Sequence, residues 1–296
     1  MNRTMVATLV AAIFATSLVW ADEAVVPTED GDTPPALHYQ TGDVELPNKI
    51  ARLHLGSRYR YLDPAETDKL LQAWGNPPGY DSQGAVVPAA VDPFTAEGWA
   101  VVLDYESDGH VDDSDAAKID YSDLLKDMQA GTEAGNAERA KQGYPAMHLV
   151  GWAEPPHYDA TARRLYWAKE LASEGEEGGS TLNYAVRVLG REGVLSMNAV
   201  AAMPQLAQVR NDMRELTQVA EFNAGHRYAD FNESTDRMAE YGLGALVAGG
   251  VAAKLGLFGK IGALLLAGKK FVAVIVVALL AALKRLFGSK KQQEPG

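Results

Sequence analysis

The 296-residue chain contains no cysteine. That excludes disulfides, a thiolate nucleophile, a cysteine zinc site and a lipid-modified N-terminal cysteine. Other catalytic signatures are missing as well. There is no G-x-S-x-G elbow, no P-loop, no G-x-G-x-x-G turn between strand and helix, and no HExxH helix. A further scarcity is local. From Tyr241 to Phe287 there is no acidic residue and almost no polar one, and every charge is Lys or Arg. A water-soluble surface does not carry so long an apolar run, whereas a bilayer receives it.

Residues 241–287 therefore read as a membrane anchor of one or two helices, with the lipid bilayer as partner. The block Phe271 to Leu283 is uncharged, and at ~1.5 Å per residue it reaches only about 20 Å. Crossing the hydrocarbon layer requires Lys269, Lys270, Lys284 and Arg285 to snorkel outwards. Ala245, Gly249 and Ala253, with Ala252 and Gly256, repeat small residues at a spacing that lets helix backbones approach in lipid. That repeat favours a helical hairpin. The basic end, Lys284-Arg285 to Lys290-Lys291, favours one span with a cytoplasmic C-terminus. Residues 288–296 form a basic polar tail.

At the other end, Met1 to Ala21 has a basic start (Arg3), an apolar run from Met5 to Val19 and a small-residue site at Val19-Trp20-Ala21. This is the pattern of a secretory signal peptide. Export and an anchor together place residues 22–240 on the extracytoplasmic side of the inner membrane. That stretch holds 38 acidic against 18 basic residues, a balance of −20. Such a surface argues against nucleic acid and tolerates cations.

Residues 22–48 are rich in Pro, Asp and Thr and read as a flexible leader, which leaves 49–240 as the folded domain. Ile50 to Leu55 and Tyr59 to Leu62 read as a hairpin across Gly56-Ser57. Asp63-Pro64-Ala65-Glu66 supplies an N-cap, a proline at N1 and an acid at N3, so a helix starts there with Leu70, Leu71 and Trp74 inward. Gly84 to Val91 and Gly98 to Tyr105 read as strands, and Ala116 to Ala140 as a helix. A meander follows: Met147 to Ala153, a turn at Glu154 to Asp159, Arg164 to Leu171, Thr181 to Leu189, and Val194 to Val200 after a Gly190–Gly193 turn. From Pro204 a last helix carries Leu206, Val209, Met213, Leu216 and Ala220 on one stripe. Together these elements predict an α+β fold, a mostly antiparallel sheet packed with two or three helices.

Several strings in this region go further than composition. HLVGWAEPPHYD (His148 to Asp159), LYWAKEL, TLNYAVRVLGREGVLSMNAVA and FNAGHRYADFNESTD resemble the bacterial membrane-anchored proteins grouped as domain of unknown function 2167. WGNPPG (Trp74 to Gly79), KIDYSDLL (Lys118 to Leu125) and YGLGALVAGGVAAK fit the same pattern, so the likeness runs from about Thr41 to Lys254. The resemblance implies a signal peptide, an extracytoplasmic domain and an anchor. It implies no activity, ligand or catalytic residue.

The best local chemistry lies between Asp104 and Asp115. Calcium loops place oxygen ligands at positions 1, 3, 5, 7, 9 and 12, with glycine at 6. Here those positions hold Asp104, Glu106, Asp108, the His110 carbonyl, Asp112 and Asp115, with Gly109 at 6. Calcium is the cofactor such a loop would take. Two features depart from the pattern: Asp115 replaces the expected bidentate Glu, and the leading element reads as a strand. The plainer reading is an acidic loop capping the next helix.

His148, Glu154 and His157 lie about one turn and suit an acid–base pair or a metal, but the plainer reading is a structural hairpin with ordinary histidines. Trp152, Tyr158, Tyr166, Trp167 and Tyr184 gather in the meander, either lining a ligand groove on a sheet face or packing as cross-strand core. Taken together, the chain reads as an anchored binding domain of the cell envelope, with an envelope protein or ligand on its sheet face and without catalysis. The rivals are a carboxylate-dependent envelope hydrolase near Glu154 and Asp159, and a calcium-dependent structural or regulatory domain.

Overall fold

The computed structural model describes residues 34–76, 78–141, 143–175 and 179–249. Residues 1–21, which read as a signal peptide, and the apolar tail from residue 250 onwards lie outside these. Among the described residues no helix is long and apolar enough to cross a membrane.

Two antiparallel sheets form the frame. The larger has seven strands: β3 (Tyr59–Leu62), β4 (Gly84–Pro88), β5 (Ala100–Glu106), β6 (Met147–Asp159), β7 (Arg164–Ser173), β8 (Thr181–Leu189) and β9 (Val194–Ala202). Their spatial order is β3-β4-β5-β9-β8-β7-β6. After β5 the chain crosses to the far edge through helix α2 (Tyr121–Lys141). It then returns strand by strand until β9 pairs with β5 along its whole length. The smaller sheet joins β1 (Asp43–Glu45), β2 (Ala51–His54) and β10 (Ala220–Phe222) in the order β1-β2-β10.

Period-two alternation assigns the faces of the large sheet. Val101, Leu103, Leu182, Tyr184, Val186, Leu195, Met197 and Ala199 point to one side. There they meet helix α3 (Leu206–Val219) through Val209, Met213 and Leu216, and the small sheet through Val44, Leu53 and Phe222. The opposite side is covered in two parts. Helix α1 (Pro64–Ala73) buries Leu70 and Leu71, with Trp74 just past its end, against Ala85, Val87, Ala100 and Val102. Helices α2 and α4 (Leu243–Ala248) cover Leu165, Trp167, Ala185 and Leu189. Helices thus lie on both faces.

Local signals explain the best-formed elements. The Asp63 side chain accepts a hydrogen bond from the Glu66 N–H at 2.9 Å, so the cap that starts α1 is made as expected. Gly75, at φ +86°, ends that helix in a left-handed conformation. Gly193 at the β8–β9 turn allows β5 to come close, because a Cβ there would lie 2.1 Å from the Glu106 carbonyl oxygen.

Four expectations are corrected. The β2 and β3 strands do not pair as a hairpin; β2 joins the small sheet and β3 the large one. The leader is shorter, since β1 falls at 43–45 and Val44 and Leu46 are buried. Glu154 to Asp159 is not a turn but the second half of β6, with register shifts that absorb Pro155 and Pro156 at the sheet edge. The start of the apolar run, expected to belong to an anchor from Tyr241, is part of the domain. Leu243, Leu246 and Val247 are buried in the domain beside Ile119, Leu165 and Trp167, and α4 ends at Gly249 in a left-handed cap.

Candidate functional site

Between the apolar patch under α1 and the one under α2 and α4, the same sheet face turns polar. Alternation places Asp104 and Glu106 of β5, Ser196 and Asn198 of β9, Asn183 and Arg187 of β8, and Lys169 of β7 on this face, in positions where a buried antiparallel sheet ordinarily carries apolar side chains. Cross-strand register binds them into a strip. Asp104 stands opposite Ser196, which stands opposite Arg187; Asn198 faces Ala185, and Asn183 faces Lys169.

The strip has a negative and a positive end. At the negative end Ser196 Oγ donates to Glu106 at 2.9 Å, and the Tyr80 hydroxyl donates to the Asp104 carboxylate. Burial pushes the Asp104 pKa up to about 6 despite that bond and the nearby Arg187. Tyr80 is raised, first by burial and then by Asp104. Asp104 Oδ1 has no hydrogen-bond partner among protein groups.

At the positive end Arg187 Nη1 donates to Asn198 Oδ1 at 3.1 Å and to the Val186 carbonyl at 3.2 Å. Its guanidinium carbon sits 4.9 Å from the centroid of the Trp167 ring. Burial lowers the Arg187 pKa, with Glu106 and Asp104 acting in the opposite sense. Burial, reinforced by repulsion from Arg187, brings the Lys169 ammonium down to about 8. Trp167 Nε1, Asn183 Nδ2 and Arg187 Nε are buried N–H groups with no protein acceptor. Buried polar groups are nearly always satisfied, so these donors require an acceptor, water or ligand, that the protein itself does not supply.

The calcium-like loop is split by this architecture. Asp104 and Glu106 belong to the strip, while the remaining positions face the connector that follows β10. Asp108 accepts from the Tyr241 hydroxyl at 2.8 Å, and Asp112 from the Ser114 N–H and hydroxyl, both at 2.9 Å. Asp115 Oδ1 accepts from the Leu243 N–H at 3.4 Å. The His110 carbonyl, offered to calcium at position 7, accepts from Ala239 N–H at 2.8 Å. No group of three His, Asp or Glu in metal-binding arrangement occurs among the described residues. Asp113, which the loop pattern passes over, is the hub instead. It accepts from Tyr158 at 2.8 Å, from Tyr228 at 3.1 Å and from Arg163.

The second suspected site is likewise dispersed. His148 pairs with Glu133 at 2.7 Å on α2, and His157 stacks on Tyr166 with ring centroids 4.9 Å apart. Glu154 lies between Arg210 at 2.5 Å and Arg214 at 3.7 Å, both on α3, with His157 at 3.7 Å. Asp159 caps its own turn by accepting from Thr161 and Ala162 N–H. The meander aromatics divide between faces. Tyr166 and Tyr184 are buried under α3, whereas Trp167 is buried on the helix-covered face with Trp152 and Tyr158 packed beside it.

Sequence reasoning missed Lys169, Asn183 and Arg187. The available signal was parity: in TLNYAVRVL, Asn183 and Arg187 occupy the same inward register as Ala185 and Leu189.

Fold and strip define an α+β protein whose larger antiparallel sheet carries a strip of polar and charged side chains on one face. The chain belongs to the family described as protein of unknown function DUF2167, whose model matches residues 38–280. No functionally curated protein matches it. Solved structures similar to this chain include two of low sequence identity. Cyanobacterial PsbP (CyanoP) from Synechocystis sp. PCC 6803 is 11% identical, with 67% of this chain and 99% of that one covered and a TM-score of 0.33. The Saccharomyces cerevisiae Ran-binding protein Mog1p is 9% identical, with 67% and 100% covered and a TM-score of 0.34.

Proposed function

We propose that this chain is an exported, membrane-anchored binding domain of the bacterial cell envelope, and that its ligand seats on the polar strip of the helix-covered sheet face. The observation that carries the reading is the set of unmet buried groups on that face, Trp167 Nε1, Asn183 Nδ2, Arg187 Nε and Asp104 Oδ1. The signal-peptide pattern at 1–21 and the apolar, wholly basic run from residue 250 to Phe287 support the location. The anchor holds the domain beside the inner membrane, and the −20 balance of residues 22–240 keeps it off anionic lipid.

A panel of anionic, neutral and cationic small molecules, tested by thermal midpoint on the full chain in detergent, checks this. A ligand of the strip raises the midpoint of the wild type and not that of Asn183→Leu. If no class of molecule does so, the strip is not a ligand site. Fractionation of cells expressing the chain checks the location, which fails if the protein is found in the soluble cytoplasmic fraction.

One observation favours catalysis as a second reading. Asp104, at about 6, is poised to exchange a proton near neutral pH. A hydrolase using it would lose turnover on envelope polysaccharide or lipid in Asp104→Asn.

A further inference from the structure

We propose, resting on the reading of the strip as a ligand site, that Lys169, Asn183 and Arg187 together form an anion-binding site that takes the carboxylate or phosphate group of a small molecule. The register assembles it. Lys169 on β7 is the direct cross-strand neighbour of Asn183 on β8, and one step along the same face Trp167 stands opposite Ala185, which stands opposite Asn198. Directly opposed side chains have Cβ atoms about 5 Å apart, so Lys169 and Asn183 reach a common ligand atom. Arg187 enters from the other direction along β8, its guanidinium laid on Trp167 and tied through Nη1 to Asn198.

The unmet groups at this end of the strip are all donors, and the strip's unmet acceptor, Asp104 Oδ1, lies at the other end. Asn183 is 4% exposed, and its Nδ2 has no acceptor. Arg187 Nε and Trp167 Nε1 have none either. The Lys169 ammonium forms no ion pair or hydrogen bond among the described residues, and the charge acting on it is Arg187, of the same sign. N–H donors without acceptors, two of them cationic, call for a ligand that is negative and rich in lone pairs. An oxyanion meets both needs. A neutral ligand would leave the Lys169–Arg187 repulsion standing, and a cation would add to it.

Charge elsewhere sharpens the case. Residues 22–240 carry a balance of −20, so diffuse attraction of anions to this domain is excluded and binding must occur at a built site. Arg187 is also prepared in advance. The Trp167 ring and the Asn198 carbonyl fix its plane, so little freedom is lost when an anion arrives.

The test uses the full chain in detergent. It is titrated with inorganic phosphate, glycerol phosphate, acetate and succinate, with chloride balancing ionic strength throughout, and read by calorimetry and thermal midpoint. A saturable rise is expected with at least one of the two chemistries, and whichever of the phosphate or carboxylate pairs saturates identifies the source. Lys169→Met and Asn183→Leu each weaken binding at least tenfold, while Lys169→Arg retains it. Lys169→Met removes a half-buried charge with no ion pair among the described residues, and its midpoint without ligand separates lost binding from lost fold. The proposal is overturned if anions do not bind, or if they bind Lys169→Met as well as wild type. Should neutral or amino compounds bind in an Asn183-dependent way while anions do not, the strip stands as the ligand site and only its anionic character falls. Silence from every class overturns both.

Discussion

The Tyr241 hydroxyl donates to Asp108 Oδ2 at 2.8 Å, joining the middle of the acidic loop to the residue that opens the apolar run. One bond thereby occupies a carboxylate that a calcium ion would need and keeps the start of that run on the domain. Burial, then Asp108, raises the Tyr241 pKa, so the phenol stays protonated and donating. Tyr241→Phe should cost about 1 to 2 kcal/mol and make residues 241–249 the first site of limited proteolysis. Because Asp108, Asp112 and Asp115 already accept from protein donors, millimolar calcium should leave the thermal midpoint unchanged. A calcium-dependent rise that disappears in Asp104→Ala and Asp108→Ala would instead restore the loop as a metal site.

Gly109 is the point at which that loop meets the connector. It sits at φ +111°, and a Cβ there would lie 2.6 Å from the Arg237 carbonyl oxygen. His110 follows, buried between Tyr228 and Phe231 with ring centroids 4.1 and 3.9 Å away. Gly109→Ala must therefore push the connector aside as well as strain the backbone, at a cost of about 1 to 3 kcal/mol. Amide hydrogen exchange should rise in residues 226–249 while the β7–β9 amides stay protected; equal loss across both regions would show that the connector is not separately seated.

Lys169 carries a stability penalty with a definite pH window. Its folded pKa, about 8, lies below the ordinary 10.5, so between these values the unfolded chain holds more protons and stability rises with pH. Lys169→Met should raise the midpoint by about 2 to 4 °C at pH 7. The difference from wild type should then close as pH climbs towards 10. A variant less stable than wild type at pH 7 would mean that the ammonium has a partner.

Asp104 has the opposite window. Its pKa is raised from 3.8 to about 6, so its contribution is fully present below pH 4 and is lost as pH rises through 6. Asp104→Asn should match wild type at pH 4 and exceed it by about 1 kcal/mol at pH 7. Chemical denaturation at the two pH values decides it.

Lys169 carried no mark in the chain and Asp104 was marked only as a calcium-loop position, whereas the elements written locally were legible. The α1 cap needs only Asp63, Pro64 and Glu66, and the α3 stripe only the spacing of Val209, Met213 and Leu216. What failed was choice of partner. Gly56-Ser57 announces a turn, but nothing near it says that β2 and β3 join different sheets. Pro155-Pro156 reads as a break because proline cannot donate to a ladder, yet β6 is an edge strand with one side unpaired, where proline is tolerated. The strip was hidden for a related reason. Asp104, Lys169, Asn183 and Arg187 come from three strands, and only the register makes them neighbours.

Glu154 separates a structural carboxylate from a catalytic one. It is 12% exposed and lies within 4 Å of Arg210, Arg214 and His157, with both guanidinium groups carried by α3. Glu154→Gln removes the countercharge and leaves two guanidinium groups facing each other against the sheet, which should cost about 1 to 3 kcal/mol. Replacing the pair together, Glu154→Leu with Arg210→Leu, should recover much of that loss, because apolar side chains carry no desolvation penalty at a partly buried site. A hydrolase built on Glu154 predicts the reverse: Glu154→Gln keeps its midpoint and loses turnover, and the double replacement rescues nothing. Denaturation midpoints of the three chains decide between the two, and the salt bridge to α3 requires the single variant to be the least stable.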